Sequence, residues 1–387
     1  MISRANFFKE EKWYPTLLFC VQRCLYSILG WALFTLGYVP LTEHPIYRPY
    51  FGILPITDGI SGAFLGVWQR FDVIHFLRIA QAGYTDADLS PFFPLFPLLS
   101  RFFGKLLGGN YLLGAFIISN IACLIAINVL YFWVLEEGYD RPHAKRTILF
   151  LLCFPTSFFL FVPYSESLFL LFCVLAMWSI RRGKWVLAGT ASLLATLTRI
   201  GGIVLSVVML TEWFMRRKAT SRRESVIVWL SSALPFIAYA ILALWRSKQN
   251  LPGLVQVQAT YWYRQPALPW EGIVLTISRL LQQLALSIEV LDLLVVLGML
   301  LVGFFVLRML PASLAVFHWG LLILSLSQIR LGQPLSGQAR YAIILFPAFI
   351  VLAKFARGPI AKRGMAYTFL ILNLFLAGQF VLWGWVG

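Results

Sequence analysis

Charge is what this sequence has least of. Only 12% of its 387 residues are Asp, Glu, Lys or Arg, and 16 of them are acids. Soluble chains average about 25% charged residues, so a water-facing surface of ordinary extent is excluded. Histidine is scarce as well. His44, His143 and His318 are scattered and build no metal cage. No cofactor is expected, although a divalent ion held by carboxylates stays open. The cysteines Cys20, Cys24, Cys123, Cys153 and Cys173 lie in apolar runs and form no CxxC. That excludes a disulfide framework and a zinc site and reads as buried apolar thiols. Walker A, GxGxxG, HExxH and GxSxG motifs are all missing, which removes nucleotide, zinc-protease and serine-hydrolase chemistry. No internal repeat or low-complexity tail is present. Met1–Pro15 is of mixed charge, and the apolar run after it is too long for a signal-peptide core, so no cleaved leader is expected.

What the chain does have is apolar length. Hydrophobic residues make up 60% and aromatics 16%, against roughly 45–50% apolar in soluble chains. The class is an all-α polytopic membrane protein, with 1–387 as one integral membrane domain. The net charge of +16 does not point to nucleic acid. The cations cluster in short loops between apolar runs, which is the positive-inside pattern. Membrane lipids, anionic ones included, and phosphate-bearing substrates are the partners that fit.

Counting apolar residues between basic loops sets the expected topology, since about 20 cross the ~30 Å core. Arg4, Lys9 and Lys12 put the N-terminus in the cytoplasm. Thr16–Leu41 crosses outward and Tyr111–Leu135 returns. The runs between basic loops at Glu136–Arg146, Arg181–Lys184 and Arg216–Arg223 each have to go out and back on short legs. Their turns fall at Pro163–Ser167 and Thr198–Gly202. One long tilted helix is the alternative for the second run. Val226–Trp245 then goes out, Gly272–Glu289 reads as an amphipathic interfacial helix, and four further crossings follow. About eleven transmembrane helices result, with the C-terminus outside and interfacial helices in the first outer loop.

Trp68–Pro97 stands apart, because Arg70, Asp72, His75, Arg78, Asp86 and Asp88 crowd into it. Ionisable groups kept near a lipid boundary mark a functional site by default. Asp72 and His75 are spaced i, i+3, so a helix puts them on one face. Asp72 suits a general base toward a hydroxyl, and His75 can hold the carboxylate or the substrate. Arg70 is a candidate partner for Asp72 or for substrate. On the expected topology four polar sets share the outer side: Asp72 with His75, Tyr164–Ser165–Glu166, Arg199, and Arg330 with Arg340. Arg199 can hold a phosphate bidentately or pair with Glu166 or Asp72. Glu166 can cap the returning helix. Arg340 can meet a lipid phosphate or snorkel. Pro91–Pro97 is too rich in proline for a helix interior and reads as a packed loop or a lid. A lipid-borne donor fits better than a nucleotide sugar, because no soluble α/β domain has room.

Four blocks in order resemble the PIG-V family, the GPI mannosyltransferase II group and its prokaryotic relatives within the GT-C glycosyltransferases. Phe71-Asp72-Val73-Ile74-His75-Phe76-Leu77 resembles its WDxxHFL. Phe92–Pro97 resembles FFPxFP, Tyr164–Phe169 resembles YSEALF, and Arg199–Gly202 resembles RSNG. Two positions depart: Phe71 stands for Trp and Gly201 for Asn. The blocks span 68–204, and 205–387 matches loosely through Arg340-Tyr341. The resemblance implies a GT-C-type bundle and inverting transfer of mannose from a polyprenyl- or dolichyl-phosphate carrier. The acceptor it implies is a lipid-linked or glycan hydroxyl on the outer or lumenal side, with a catalytic Asp where Asp72 falls. Short loops suit a prokaryotic cell membrane better than the endoplasmic reticulum. Two alternatives stay open: a non-enzymatic polyisoprenoid or lipid transporter, against which the lack of inverted repeats counts, and transfer of arabinose, glucose or an amino sugar.

Overall fold

Helix length decides how this chain can meet a bilayer. The computed structural model describes residues 12–284 and 287–386. Arg4 and Lys9 lie outside the described residues. The first helix, α1 (Tyr14–Thr35), leads into irregular chain carrying α2 (Gly59–Phe64), α3 (Asp72–Ala82) and α4 (Leu95–Leu106). There follow α5 (Tyr111–Glu136), α6 (Arg141–Cys153), α7 (Glu166–Arg181), α8 (Trp185–Thr198), α9 (Val204–Arg216) and α10 (Arg222–Lys248). The last third holds α11 (Leu254–Trp262), strand β1 (Arg264–Pro266), α12 (Glu271–Leu281), α13 (Ser287–Met309), α14 (Ala312–Leu326) and strand β2 (Gln328–Arg330). It ends with α15 (Gln338–Tyr341), α16 (Phe346–Phe355) and α17 (Pro359–Val381).

This is an all-α membrane protein. Among the described residues, five helices are long and apolar enough to cross a membrane: α1, α5, α10, α13 and α17. A sixth span arises if the α15–α16 segment, bent by 81°, counts as one. Length alone therefore does not give eleven crossings. The remaining apolar stretches form shorter helices broken at polar turns. At 14 residues, α8 is about 21 Å long at 1.5 Å per residue, short of the core.

The breaks have a geometric cause. Trp185 begins α8, and its indole donates to Glu224 at 2.7 Å. At the end of α9, Arg216 donates to the Arg181 carbonyl at 2.7 Å, and Glu212 accepts from Arg181 at 2.9 Å. The start of α8 and the end of α9 thus meet at one end of the molecule, and the chain reverses at Arg199–Ile203. A single tilted helix is excluded by these contacts. Likewise Arg181, ending α7, donates to Glu137, just past α5 and ahead of α6, at 2.8 and 2.9 Å. The α6–α7 turn therefore lies at the far end. Polar pairs close the near end, with Arg182 on Glu136 and Arg146 donating to the Ala353 carbonyl.

Local chemistry sets where helices start. Asn110 accepts from Leu113 N at 2.9 Å to cap α5, and Asp140 accepts from His143 N at 2.8 Å to cap α6. Ser221 caps α10 by accepting from Glu224 N at 3.1 Å. Three sequence expectations need correction. The helix expected over Gly272–Glu289 ends at Leu281, and Glu289 belongs to α13, where it pairs with Arg279; residues 285 and 286 lie outside the described residues. Pro97 is inside a helix after all, in the first turn of α4, where a missing N–H costs nothing. The five cysteines are free, but Cys20 and Cys24 are exposed on α1 rather than buried.

The α8–α9 turn is a tight backbone contact, and it can be tested. A Cβ on Gly202 would sit 2.3 Å from the Thr196 amide nitrogen, whereas one on Gly201 meets only side chains, at 2.9 Å or more. Gly202→Ala is expected to lower the melting temperature of the detergent-solubilised protein, by a cost of about 1–3 kcal/mol typical of overpacking. Gly201→Ala should cost clearly less in the same melt.

Candidate functional site

The two broken hairpins put their turns at the same end as the loop that carries α3. A cavity of about 660 Å³ lies between them. Asp72, His75, Ser165, Glu166, Arg199, Arg330 and Arg340 all line it. Residues 268 positions apart in sequence thus share one pocket.

Asp72 is presented by a strained turn. Phe71 has φ +50°, in the left-handed region that bulky residues avoid. Its ring is wedged against Phe380, Trp383 and Trp385, with centroids 5.2 to 5.4 Å away. Asp72 begins α3 directly after this turn, and its N–H donates to the Tyr164 hydroxyl at 3.2 Å. Arg340 comes from α15, whose start is fixed twice. Gly337 supplies φ +86°, and Asp292 accepts from Ala339 N at 2.7 Å.

Arg340 is the hub. Its Nη1 donates to Asp72 Oδ2 at 2.7 Å, and its Nε donates to Glu166 Oε1. Arg199 donates to the same Glu166 oxygen. Glu166, at the first turn of α7, is fully buried. The Arg340 guanidinium lies 4.4 Å from the Tyr164 ring centroid and 5.0 Å from that of Phe159. Tyr164 therefore supports the cluster from behind and does not itself line the cavity.

Burial pushes the Asp72 carboxyl up, but Arg340 beside it, with His75 and Arg199 further off, more than offsets this and holds it below its ordinary value. It is a carboxylate at neutral pH. Burial lowers His75, against Asp72 and Asp88, and leaves it neutral at pH 7. Arg78 donates toward His75 Nδ1 at 3.3 Å. Arginine has no acceptor, so the proton of the neutral ring is on Nε2. Phe51, Phe92 and Trp262 surround the imidazole, each with its centroid 5.2 Å away. Asp86 and Asp88 are taken up by Arg78, both at 2.7 Å.

Arg70 does not join them. It is fully buried and donates to Tyr50, Gly66, Gln69 and Val381 at 3.0 to 3.1 Å. It ties the first loop to the end of α17, and Asp72 takes Arg340 as its partner instead. Among the described residues, no three His, Cys, Asp or Glu side chains gather around a common point.

Sequence reasoning missed Arg264, which faces the cavity from β1 and is the cross-strand partner of Arg330 on β2. One signal was available. Between Asn250 and Trp270 the chain has no acid, and after Asp292 it has none at all. Arginines in such stretches either borrow carboxylates from elsewhere, as Arg340 does, or keep their charge for a ligand.

A family profile described as mannosyltransferase (PIG-V) matches residues 51–245, just over half of the chain. The chain belongs to the PIG-V family. The family segment contains Asp72, His75, Tyr164, Ser165, Glu166 and Arg199, while Arg264, Arg330 and Arg340 come from outside it. Similar proteins carry the name GPI alpha-1,6-mannosyltransferase 2. The one from Mus musculus is 34% identical over 162 residues, and that from Cricetulus griseus 32% over 163. The Homo sapiens relative is 31% identical over 162 residues. Each match covers 38% of this chain and 32% of the relative, so the chain spans about a third of the length of these PIG-V relatives. No solved structure matches.

The Arg340–Asp72 pair makes a prediction about pH. Asp72 has a depressed pKa, so its ionisation is complete at neutral pH and is lost only as pH falls through a value below the usual 3.8. Removing Arg340 leaves burial to dominate and raises that value. In Arg340→Gln the acid limb of the activity–pH profile is expected to move to higher pH than in wild type. An unmoved limb would detach Asp72 from Arg340.

Proposed function

We propose that this protein transfers mannose from a polyprenyl-phosphate carrier to a hydroxyl of a lipid-linked or glycan acceptor, with inversion and with Asp72 as general base. One observation carries the reading: an ionised aspartate and a cluster of arginines line a single cavity whose other flank is apolar. That flank is built by Leu254 and Val255 of α11, Val295 and Met299 of α13, and Leu321 and Leu324 of α14. Ile200, Val255 and Leu324 on its rim are exposed, which suits a lipid chain entering sideways. The names of the mammalian relatives favour mannose over other sugars.

The chemistry is a displacement at the anomeric carbon. The bond from that carbon to the phosphate oxygen breaks, and its electron pair leaves with the phosphate. The acceptor oxygen forms the new bond from the opposite face. Its proton passes to Asp72. Arg340, bridging Asp72 and Glu166, keeps the carboxylate aimed. A base with a depressed pKa accepts a proton only late, once the acceptor oxygen has become acidic through bond formation. His75, neutral and carrying its proton on Nε2, donates to a sugar hydroxyl, and the rings around it offer apolar faces to the sugar. Cations near the phosphate stabilise the charge it gains.

The positive-inside pattern supports a polar pocket on the extracytoplasmic side, and the short loops support a prokaryotic cell membrane. Counting each short leg as a crossing would bring the five or six full-length spans to the eleven of a GT-C-type bundle, with α2 to α4 as interfacial helices. Purified protein in lipid nanodiscs, supplied with polyprenyl-phosphate mannose, tests the proposal. Asp72→Asn should lower turnover by about 10²–10⁴-fold, the usual worth of a general base, without changing expression. Turnover at the wild-type rate would remove Asp72 from the reaction.

A further inference from the structure

We propose that Arg264 and Arg330 form the seat of the carrier's phosphate, and that this seat grips the departing phosphomonoester more tightly than the sugar phosphodiester that enters. The inference rests on the reading above and assigns a step of it to residues outside the family segment.

The two arginines face each other across the β1–β2 ribbon as direct cross-strand partners. Like charges placed opposite in a ribbon repel, and an anion between them turns the repulsion into attraction. Among the described residues, neither has a carboxylate within ion-pair distance; Arg199 and Arg340 have both of the cavity's acids. Instead, Arg330 reaches the Ser336 hydroxyl at 3.4 Å and Arg264 the Ser336 carbonyl at 3.3 Å, so both guanidiniums are drawn to one residue. Trp385 lies 5.3 Å from Arg330 and Tyr341 5.9 Å from Arg264. Both arginines line the same cavity as Leu321 and Leu324 of the apolar flank.

Charge selects the ligand. Four arginines line the cavity, Arg199, Arg264, Arg330 and Arg340, against two carboxylates, Asp72 and Glu166. Four minus two leaves two positive charges. The donor phosphodiester carries one negative charge. When its bond to the sugar breaks, the electron pair stays on the phosphate and the monoester carries up to two. The seat therefore matches the product better than the substrate. Binding that strengthens as charge develops accelerates the chemical step. It also makes the carrier phosphate a strong product inhibitor.

The test measures KM for polyprenyl-phosphate mannose, kcat, and the inhibition constant of polyprenyl phosphate in wild type, Arg264→Gln, Arg330→Gln and the double variant. Direct binding of farnesyl phosphate, farnesol, phosphatidic acid and inorganic phosphate is measured on the same preparations. For each single variant the inhibition constant should rise at least about tenfold, the scale of one lost charge-assisted hydrogen bond. KM should rise less, and kcat should fall. Arg→Lys variants should recover part of the loss. In wild type, farnesyl phosphate should bind well above farnesol and above inorganic phosphate. Equal binding of phosphatidic acid would overturn the isoprenoid carrier as the source of the phosphate. If the double variant does not fold, the single and Lys variants decide. Wild-type farnesyl phosphate affinity in folded variants would overturn the seat. Loss of that affinity, with no mannose transfer by wild type, would keep the seat and sink the proposed reaction instead.

Discussion

Two buried carboxylates of this membrane protein, Asp72 and Glu166, are answered by one arginine. Arg340 binds Asp72 from the first loop and Glu166 from the first broken hairpin, and Glu166 in turn binds Arg199 from the second. Removing one partner of such a buried network leaves an uncompensated charge, at a cost of roughly 3–5 kcal/mol. Each of these side chains is therefore fixed in place by the others. The short hairpins follow from the same constraint. A helix that has to deliver a polar turn to the centre of the cluster stops there and does not run on to the far surface.

The cluster also separates two kinds of arginine. Arg199 and Arg340 are neutralised and orient the acids. Arg264 and Arg330 lie beside them and, among the described residues, make side-chain contacts with a carbonyl, a hydroxyl and rings and no ion pair. Arg70 is a third kind, a strut whose hydrogen bonds all go to Tyr50 and to main-chain carbonyls. Sequence treats these residues alike, because a guanidinium looks the same whether it carries load, aims an acid or awaits an anion.

That is also where legibility in the sequence stops. The membrane class, the breaks at Pro163–Ser167 and Thr198–Gly202, and the company of Asp72, Glu166 and Arg199 follow from apolar length and the spacing of basic loops. Both are one-dimensional quantities. The number of full-length crossings did not follow, because legs of 13 to 16 residues are short of the bilayer and residue counting cannot tell a leg from a span. Arg264 was passed over because its importance comes from register. Only the pairing of β1 with β2 shows that it faces Arg330. The i, i+3 spacing of Asp72 and His75 was legible; the strained Phe71 that aims them was not.

The distribution of acids along the chain has a consequence for biosynthesis. Every Asp and Glu is encoded at or before position 292, and Arg340 lies 48 residues later. A nascent chain that has already inserted Asp72 and Glu166 holds them without their shared counter-ion until Arg340 has been made. The segment around Arg340 therefore works as a late-arriving keystone, and a message truncated before it would leave Asp72 and Glu166 buried with Arg199 alone to serve them.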